Sequence, residues 1–315
     1  MEETFHTSQK LPTSLLRELM VRKNHPAVPR FLSLQLLFIG TCYWVVVAWH
    51  SSLWEVILSQ ISFGLLSASI FACNHETVHR TAFKSIVLNR IAAAICGFEC
   101  LYASTAFKEL HFTHHRHTHE PGLDPEISFG NTPIPSVLRA LPTYLAWCTG
   151  LPMLVFKVFM VLCGSIGMPE PIRKFAFPFI RPEVRMKLWI ESLLISLTYT
   201  LVIYLAMNVN TGFWALLLAQ VTGHLMLSGY LAAEHNGLPH EETNIFKKTR
   251  SMNCSKFMKI WMWNMTYHAE HHAYPAIPFH ALPELHQLLK EEITHKDLTY
   301  SKFHLDVWKG KFKNS

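Results

Sequence analysis

Four long apolar runs limit what this chain can fold into more than any other feature of its sequence. They occupy Phe31–Trp49, Leu53–Ala72, Leu188–Met207 and Gly212–Leu231. A helix needs about 20 consecutive apolar residues to cross the hydrocarbon core of a bilayer, and each run is close to that length. The runs come in two pairs, each pair joined by a very short link. This arrangement predicts two hairpins of transmembrane helices.

The composition agrees with a membrane protein. Half of the residues are apolar and only 16% are charged, against about 25% charged residues in an ordinary soluble domain. Two adjacent apolar runs of this length disfavour the alternative of paired core helices buried in a soluble protein. We therefore predict one all-α integral membrane domain over residues 1–315. It has four transmembrane helices as two hairpins, interfacial helices and a cytosolic histidine-rich cap.

The predicted domain divides into a cytosolic arm (1–30), the first hairpin (31–72), a cytosolic and interfacial segment (73–187), the second hairpin (188–231) and a cytosolic remainder (232–315). Within the third segment, polar residues interrupt the apolar run 86–102, which indicates an interfacial helix. The run 145–167 is long enough to span. A single crossing there would place the histidines of 111–119 and 268–272 on opposite faces. We therefore predict that this run is re-entrant or interfacial.

The basic residues indicate the orientation in the membrane. The net charge is +6, and neither hairpin link contains any of the 28 lysines and arginines. In the four-span arrangement all of them therefore lie on one side of the membrane. Lysine and arginine concentrate in cytoplasmic loops, so that side is predicted to be cytosolic. The positive charge is thus a topology signal, and we expect no nucleic-acid partner.

Histidines concentrate next to the predicted hairpins, in three spaced groups. His75 and His79 are separated by four residues. HxxHH follows at His111, His114 and His115, and the same pattern recurs at His268, His271 and His272. Residues four apart lie on one face of a helix, so each group can present its imidazoles together. A ninth imidazole, His235, follows the fourth apolar run.

Nine imidazoles on one membrane face predict a metal centre, because neutral imidazole is the commonest metal ligand in proteins. Zinc in structural or hydrolytic sites takes three or four protein ligands. Nine suit two ions of higher coordination number better, and imidazole binds iron as well as zinc. Ligating histidines usually donate their second N–H to a carboxylate or carbonyl. The adjoining candidates for that role are Glu76, Asp124, Glu234, Asn264 and Glu270.

Three other histidines are expected to play lesser roles. His117 and His119 lie outside the repeated spacing, so we expect supporting or surface positions for them. His224 lies within the fourth run, where a histidine satisfied by an interhelical hydrogen bond is the expected explanation.

These histidine groups resemble the three histidine boxes of the membrane fatty acid desaturases and their hydroxylase relatives. The contexts that carry the resemblance are His75-Glu76-Thr77-Val78-His79 and Tyr267-His268-Ala269-Glu270-His271-His272, together with the positions of the two hairpins. The resemblance implies that the eight box histidines and His235 hold two iron ions. It also implies O2 as co-substrate, electrons from an external carrier, and a fatty acyl or other lipid chain between the spans.

The chain departs from the acyl-CoA desaturases in three respects. An asparagine four residues before the extra histidine assists one iron in those enzymes, whereas Leu231 stands here. The first box is HxxxH instead of HxxxxH. No His-Pro-Gly-Gly segment occurs, so no fused cytochrome b5 domain is expected. The chain resembles compact bacterial-type lipid desaturases, carotenoid ketolases and the dihydrorhizobitoxine desaturase group more closely.

From the resemblance we predict an O2-dependent desaturase of a lipid chain. A hydroxylase or ketolase acting on a lipid or carotenoid at the same site is the first alternative. A zinc-dependent membrane hydrolase and a metal-sensing or structural membrane protein are alternatives of other classes. The bacterial inner membrane and the endoplasmic reticulum are not distinguished.

An electron-transfer protein of ferredoxin or cytochrome b5 type is the expected partner. We expect an acidic carrier to meet the basic face around Lys247, Lys248, Arg250 and the C-terminal lysines. Anionic lipid headgroups are the alternative partner for the same charges.

Overall fold

The computed structural model describes residues 11–240 and 242–312, and most of these residues are helical. The helices before the acidic loop at 120–126 are α1 (Thr13–Leu19), α2 (Ala27–Ala48), α3 (Leu53–Val78), α4 (Ile86–Glu99) and α5 (Ser104–Arg116). A two-stranded antiparallel hairpin follows, β1 (Ser128–Phe129) with β2 (Thr132–Pro133).

The second half of the described chain continues in the same way. It contains α6 (Leu141–Cys148), α7 (Leu151–Ser165), α8 (Glu170–Ala176), α9 (Arg185–Asn208) and α10 (Trp214–His235). Shorter helices complete it: α11 (Ile245–Lys248), α12 (Lys256–Trp261), α13 (His268–Ala273), α14 (Leu282–Leu289) and α15 (Tyr300–Trp308).

Four helices of the described chain are long and apolar enough to cross a membrane unbroken, and they are α2, α3, α9 and α10. This confirms the predicted all-α membrane architecture with two hairpins. The α3 and α10 helices pack along each other. Both extend beyond their predicted ends, Ala72 and Leu231, because the helix continues after the apolar pattern stops. These added turns carry His75 and His235 out of the apolar layer.

Two further helix pairs are sharply bent. The α4 and α5 axes differ by 100°, and the α6 and α7 axes by 55°. Histidines that precede and follow the α6–α7 pair meet in one cluster, described below. The transmembrane helices α9 and α10 already contribute two crossings between them. A single further crossing by α6–α7 would separate these histidines, so this geometry agrees with the re-entrant or interfacial prediction.

Gly150 forms the bend between α6 and α7. Its φ is +74°, and a Cβ built there would lie 2.2 Å from the backbone carbonyl carbon of His224 in α10. Such a φ is unfavourable for residues with a side chain, and the close approach leaves no room for a methyl group. Glycine is therefore required for α7 to pack against α10.

We expect Gly150→Ala to lower the thermal unfolding midpoint of the purified protein markedly. The backbone conformation alone costs about 1–3 kcal/mol, and the contact with His224 adds to this. Gly40→Ala is the matched control, since nothing lies within 4 Å of a Cβ at that position in α2. An unchanged midpoint for Gly150→Ala would show that α7 can move away from α10 without cost.

Candidate metal centre

All nine predicted ligands converge at the ends of α3 and α10. The first group consists of His75, His79, His111, His115 and His271. One ring nitrogen of each member lies within 4.8 Å of a ring nitrogen of every other member. A second group, defined in the same way, contains His114, His235 and His272. His268 joins the second group, with its Nε2 2.7 Å from Nε2 of His235.

Four separate elements supply these side chains. The end of α3 carries His75 and α5 carries the HxxHH of the second box, where the four-residue spacing places His111 and His115 side by side. The end of α10 carries His235. The short α13 begins at His268 and presents the third box. The centre therefore exists only when four elements far apart in sequence are packed together.

The ring nitrogens make too many short contacts with one another for hydrogen bonds alone to explain them. Nε2 of His111 lies 2.8 Å from Nε2 of His79 and 2.9 Å from that of His115. The latter lies 3.2 Å from Nε2 of His271. A row of atoms that each carry at most one proton cannot supply a donor and an acceptor for every contact.

Metal ions account for this arrangement. Metal–nitrogen bonds of about 2.0–2.1 Å place neighbouring ligand atoms roughly 3 Å apart, as seen here. Both ring nitrogens of His75 and Nε2 of His272 are buried and also lack a hydrogen-bond partner within the described residues. Leaving such atoms unsatisfied is costly. The donor set therefore fits two metal ions, one for each histidine group.

The electrostatics of the third box favour the ligand form of imidazole. Burial, followed by the neighbouring His114 and His79, lowers the pKa of His268 to about 3. Burial, followed by the surrounding imidazoles, also places the pKa values of His271 and His272 well below the ordinary value. These rings are consequently neutral at cellular pH, with a lone pair available for a metal ion.

The Asp124 carboxylate contacts one of the nine predicted ligands. Both of its oxygens lie 3.0 Å from Nδ1 of His114. The same carboxylate accepts the backbone N–H groups of His119 and Glu126, each at 2.9 Å. Burial by itself raises the pKa of Asp124, but His114 and these hydrogen bonds outweigh burial and lower it. Asp124 therefore remains charged and directs Nε2 of His114 toward the second group.

The other proposed second-layer residues make different contacts. Glu76 accepts the backbone N–H of Phe279 at 3.0 Å, and Asn264 donates to the carbonyl of the same residue at 2.9 Å. Glu270 accepts hydrogen bonds from Ser251 and His286. These three residues hold the segment around α13 in place. Although these residues lie in or beside the histidine boxes in the sequence, these side-chain hydrogen bonds go to other partners. Glu234 lies 3.7 Å from Nδ1 of His268.

The remaining histidines lie at the edges of the centre. His119 is 2% exposed and its Nδ1 contacts the carbonyl of Pro239 at 3.2 Å, whereas the more exposed His117 pairs with Glu120. Both therefore stand outside the two groups, as expected. The interhelical bond expected for His224 is wrong, because its Nδ1 contacts the carbonyl of Gln220 in the same helix at 2.7 Å.

A cavity of about 520 Å³ lies against the histidines. Members of both groups form one wall, and apolar side chains form most of the rest, including Phe71, Phe107, Met153 and Phe156. Phe71 and Phe107 precede His75 and His111 by four residues, so their rings contact each other, at a centroid distance of 5.2 Å, directly beneath the ligands. The sequence analysis did not identify these two residues, although the helical spacing that groups the histidines also identifies them.

The fold and this site together define an integral membrane metalloprotein whose metal centre borders an apolar cavity. A family model described as "Fatty acid desaturase" matches residues 51–304. The chain belongs to the fatty acid desaturase family. This confirms the predicted class, a membrane-bound oxidoreductase that desaturates lipids.

Individual relatives agree with this assignment. The sphingolipid delta(4)-desaturase DES1 of Drosophila melanogaster is 26% identical over 252 residues, covering 76% of this chain and 67% of the relative. The sphingolipid delta(4)-desaturase/C4-monooxygenase DES2 of Rattus norvegicus is 24% identical over 262 residues, covering 80% and 71%. The acyl-lipid (8-3)-desaturase of Rebecca salina is 25% identical over 243 residues, covering 72% and 55%.

Proposed function

We propose that the protein is an O2-dependent di-iron desaturase of a long-chain lipid held in the bilayer, with a sphingolipid as the favoured substrate class. The cavity carries this proposal, because it is apolar and has histidines of both groups in its wall. The names of the relatives supply the substrate class. The closer resemblance of this chain to compact bacterial-type lipid desaturases stays a prediction.

Bound iron would supply the activation of O2 and the removal of hydrogen from an unactivated C–H bond, which side chains alone cannot perform. The five-histidine group would hold one ion, and His114, His235, His268 and His272 the other. The protein contributes orientation and exclusion of water. The apolar walls bind the lipid chain, while Phe71 and Phe107 support it beneath the ligands. A chain fixed in this way presents two neighbouring carbons to the centre.

The cavity indicates that the substrate arrives from the membrane. Apolar lining residues that remain exposed include Phe129, Ile134, Val155 and Phe159, contributed by the β-hairpin and α7. Because α7 is apolar and is predicted to be re-entrant or interfacial, this opening is proposed to face lipid tails. We propose that a membrane-resident lipid enters here sideways. The two hairpin links lack lysine and arginine, so the metal centre is proposed to lie on the cytosolic side.

Hydroxylation is the second candidate. One relative is named as both a desaturase and a C4-monooxygenase, so the same architecture supports both outcomes in that protein. The choice depends on how the second neighbouring carbon is placed in the cavity. The reaction product therefore has to be determined directly.

We expect expression in a host without its own lipid desaturases to yield lipids that are two hydrogens lighter than those of the empty host. Mass spectrometry of the lipid extract measures this, with the inactive variant His271→Ala as control. A product one oxygen heavier would establish a hydroxylase.

Two irons per chain are expected after purification without metal-loaded resin. One zinc and no iron would contradict the proposal and favour a membrane hydrolase.

A further inference from the structure

A second, smaller recess lies beside the metal centre, and positive charges surround it. It is lined by His79 and Phe112, by the three cations Arg22, Arg80 and Lys108, and by apolar atoms of Val78 and Ile86, with a volume of about 300 Å³. The cations come from three places: Arg22 from the loop before α2, Arg80 from the second position after the end of α3, and Lys108 from α5. We call this set the cationic recess.

The cationic recess reaches the metal centre through its most accessible ligand. Eight of the nine histidines are buried, whereas His79 is half-buried. The Phe112 ring stacks on the His79 ring with centroids 5.0 Å apart and planes inclined by 27°. Phe112 is itself half-buried, and the Lys108 ammonium lies 5.3 Å from its centroid. An external molecule seated here would be separated from the centre by one side chain.

Within the described part of the chain, the three cations of the recess form no salt bridge with a carboxylate. The nearby carboxylate of Glu109 is bound by Arg181, with the closest N–O distance 2.6 Å, and Glu191 pairs with Lys187 at 3.4 Å. Burial lowers the pKa of Lys108 and the positive charge of Arg80 acts in the same direction, whereas the Glu109 carboxylate opposes them. A cluster of cations that forms no ion pair of its own favours an acidic partner.

The recess and the lipid cavity lie on different sides of the histidine cluster. Five cluster histidines line the cavity (His75, His111, His114, His235 and His268), but His79 does not. The two spaces share no lining residue. A partner bound at the recess would therefore leave the lipid in place, and the lipid would not block the partner.

The region expected from the sequence to bind the carrier is less suitable. Arg250 is 3% exposed and donates to the carbonyl of Ala233. The Lys248 ammonium donates to the carbonyl of Thr118 at 3.0 Å, and Lys247 pairs with Glu242 at 3.2 Å. Internal contacts therefore engage all three of these cations.

We propose that the cationic recess is the docking site of a small acidic one-electron carrier, and that electrons enter the metal centre through His79 and Phe112. This inference rests on the proposed function. Each reduced carrier gives up one electron and leaves oxidised. Two such electrons and two protons from solvent, together with the two hydrogens removed from the lipid, convert O2 into two waters. Carriers of this kind form small, transient interfaces, which suits a recess of this size.

The test measures binding before any turnover. Iron-loaded protein in nanodiscs of zwitterionic lipid, kept free of O2, is titrated with a soluble cytochrome b5 haem domain and with a plant-type ferredoxin at low ionic strength. For the carrier that binds, we expect Arg22→Glu with Lys108→Glu to weaken the affinity about tenfold or more. The matched control carries Lys290→Glu and Lys309→Glu, which change the net charge equally at exposed positions away from the recess. We expect the control to bind like the parent protein.

A chemical reductant separates this inference from the proposed function. The iron-loaded recess variant, reduced with dithionite and then given O2, should still form one round of product. If the recess variant and the control lost affinity equally, or if neither carrier's affinity changed, the docking site would be wrong. Weaker binding to anionic vesicles alone would instead assign the recess to lipid headgroups. Failure of the dithionite-reduced parent protein to desaturate would overturn the proposed function itself.

Discussion

His111→Ala should abolish desaturation, with a loss well beyond the roughly 10- to 100-fold effect of removing a residue that only orients a ligand. Its Nε2 contacts those of both His79 and His115, so it occupies the middle of the five-histidine group. We expect iron to fall from two ions per chain toward one, because the second group does not contain His111. Elemental analysis of the purified variant and the lipid profile of the host measure the two effects.

The control for this substitution is His117→Ala. His117 lies in the same run of histidines but pairs with Glu120 at the surface, so its removal should leave both the iron content and the product unchanged. Full activity in His111→Ala would contradict the assignment of the first group. Equal losses in both variants would show that the histidine run acts on folding instead of on metal binding.

Asp124→Asn should lower activity about 10- to 100-fold, the range typical for a residue that orients a metal-bound histidine. Asparagine keeps the size of the side chain but removes the charge, and it has one acceptor oxygen where Asp124 has two. His114 would then lose its fixed orientation toward the second group. Iron should again fall toward one ion per chain, now by loss of the second ion.

Glu120→Gln is the matched control for Asp124→Asn, since it makes the same chemical change in the same loop at the exposed partner of His117. The two ions can also be distinguished by Mössbauer spectroscopy of iron-57-loaded protein. Asp124→Asn and His111→Ala should each remove a different component of the spectrum. If Asp124→Asn bound both ions like the parent, the carboxylate would serve only the loop that it caps.

The positions of the transmembrane helices were largely predictable. The run from Leu53 predicts α3 and the run from Leu188 predicts α9, because burial in lipid requires an unbroken apolar sequence and the composition records it directly. The ends were predicted less well. Apolarity ends where the lipid ends, whereas the helical hydrogen bonds of α3 continue to Val78. The turns of α3 and α10 that carry His75 and His235 lie between the end of the apolar run and the end of the helix.

Proximity in sequence was a poor guide to the contacts around the ligands. Asp124 lies ten residues from His114 and contacts it, whereas Glu76 and Glu270 lie within boxes and bind other partners. A loop can turn its side chain back to a ligand, but a helical residue next to a ligand points about 100° away from it. The cationic recess shows the same effect. Its three cations are scattered over the sequence and adjacent only in the fold.

The sequence by itself determined the membrane class, the two hairpins and the grouping of the eight box histidines, because apolar length and four-residue spacing are local properties. Only the tertiary structure decided how the histidines divide into two groups, which carboxylate serves them, and where the lipid cavity and the cationic recess lie. These depend on packing between elements up to about 200 residues apart, such as Glu76 with Phe279. A spacing rule carries no information about such contacts.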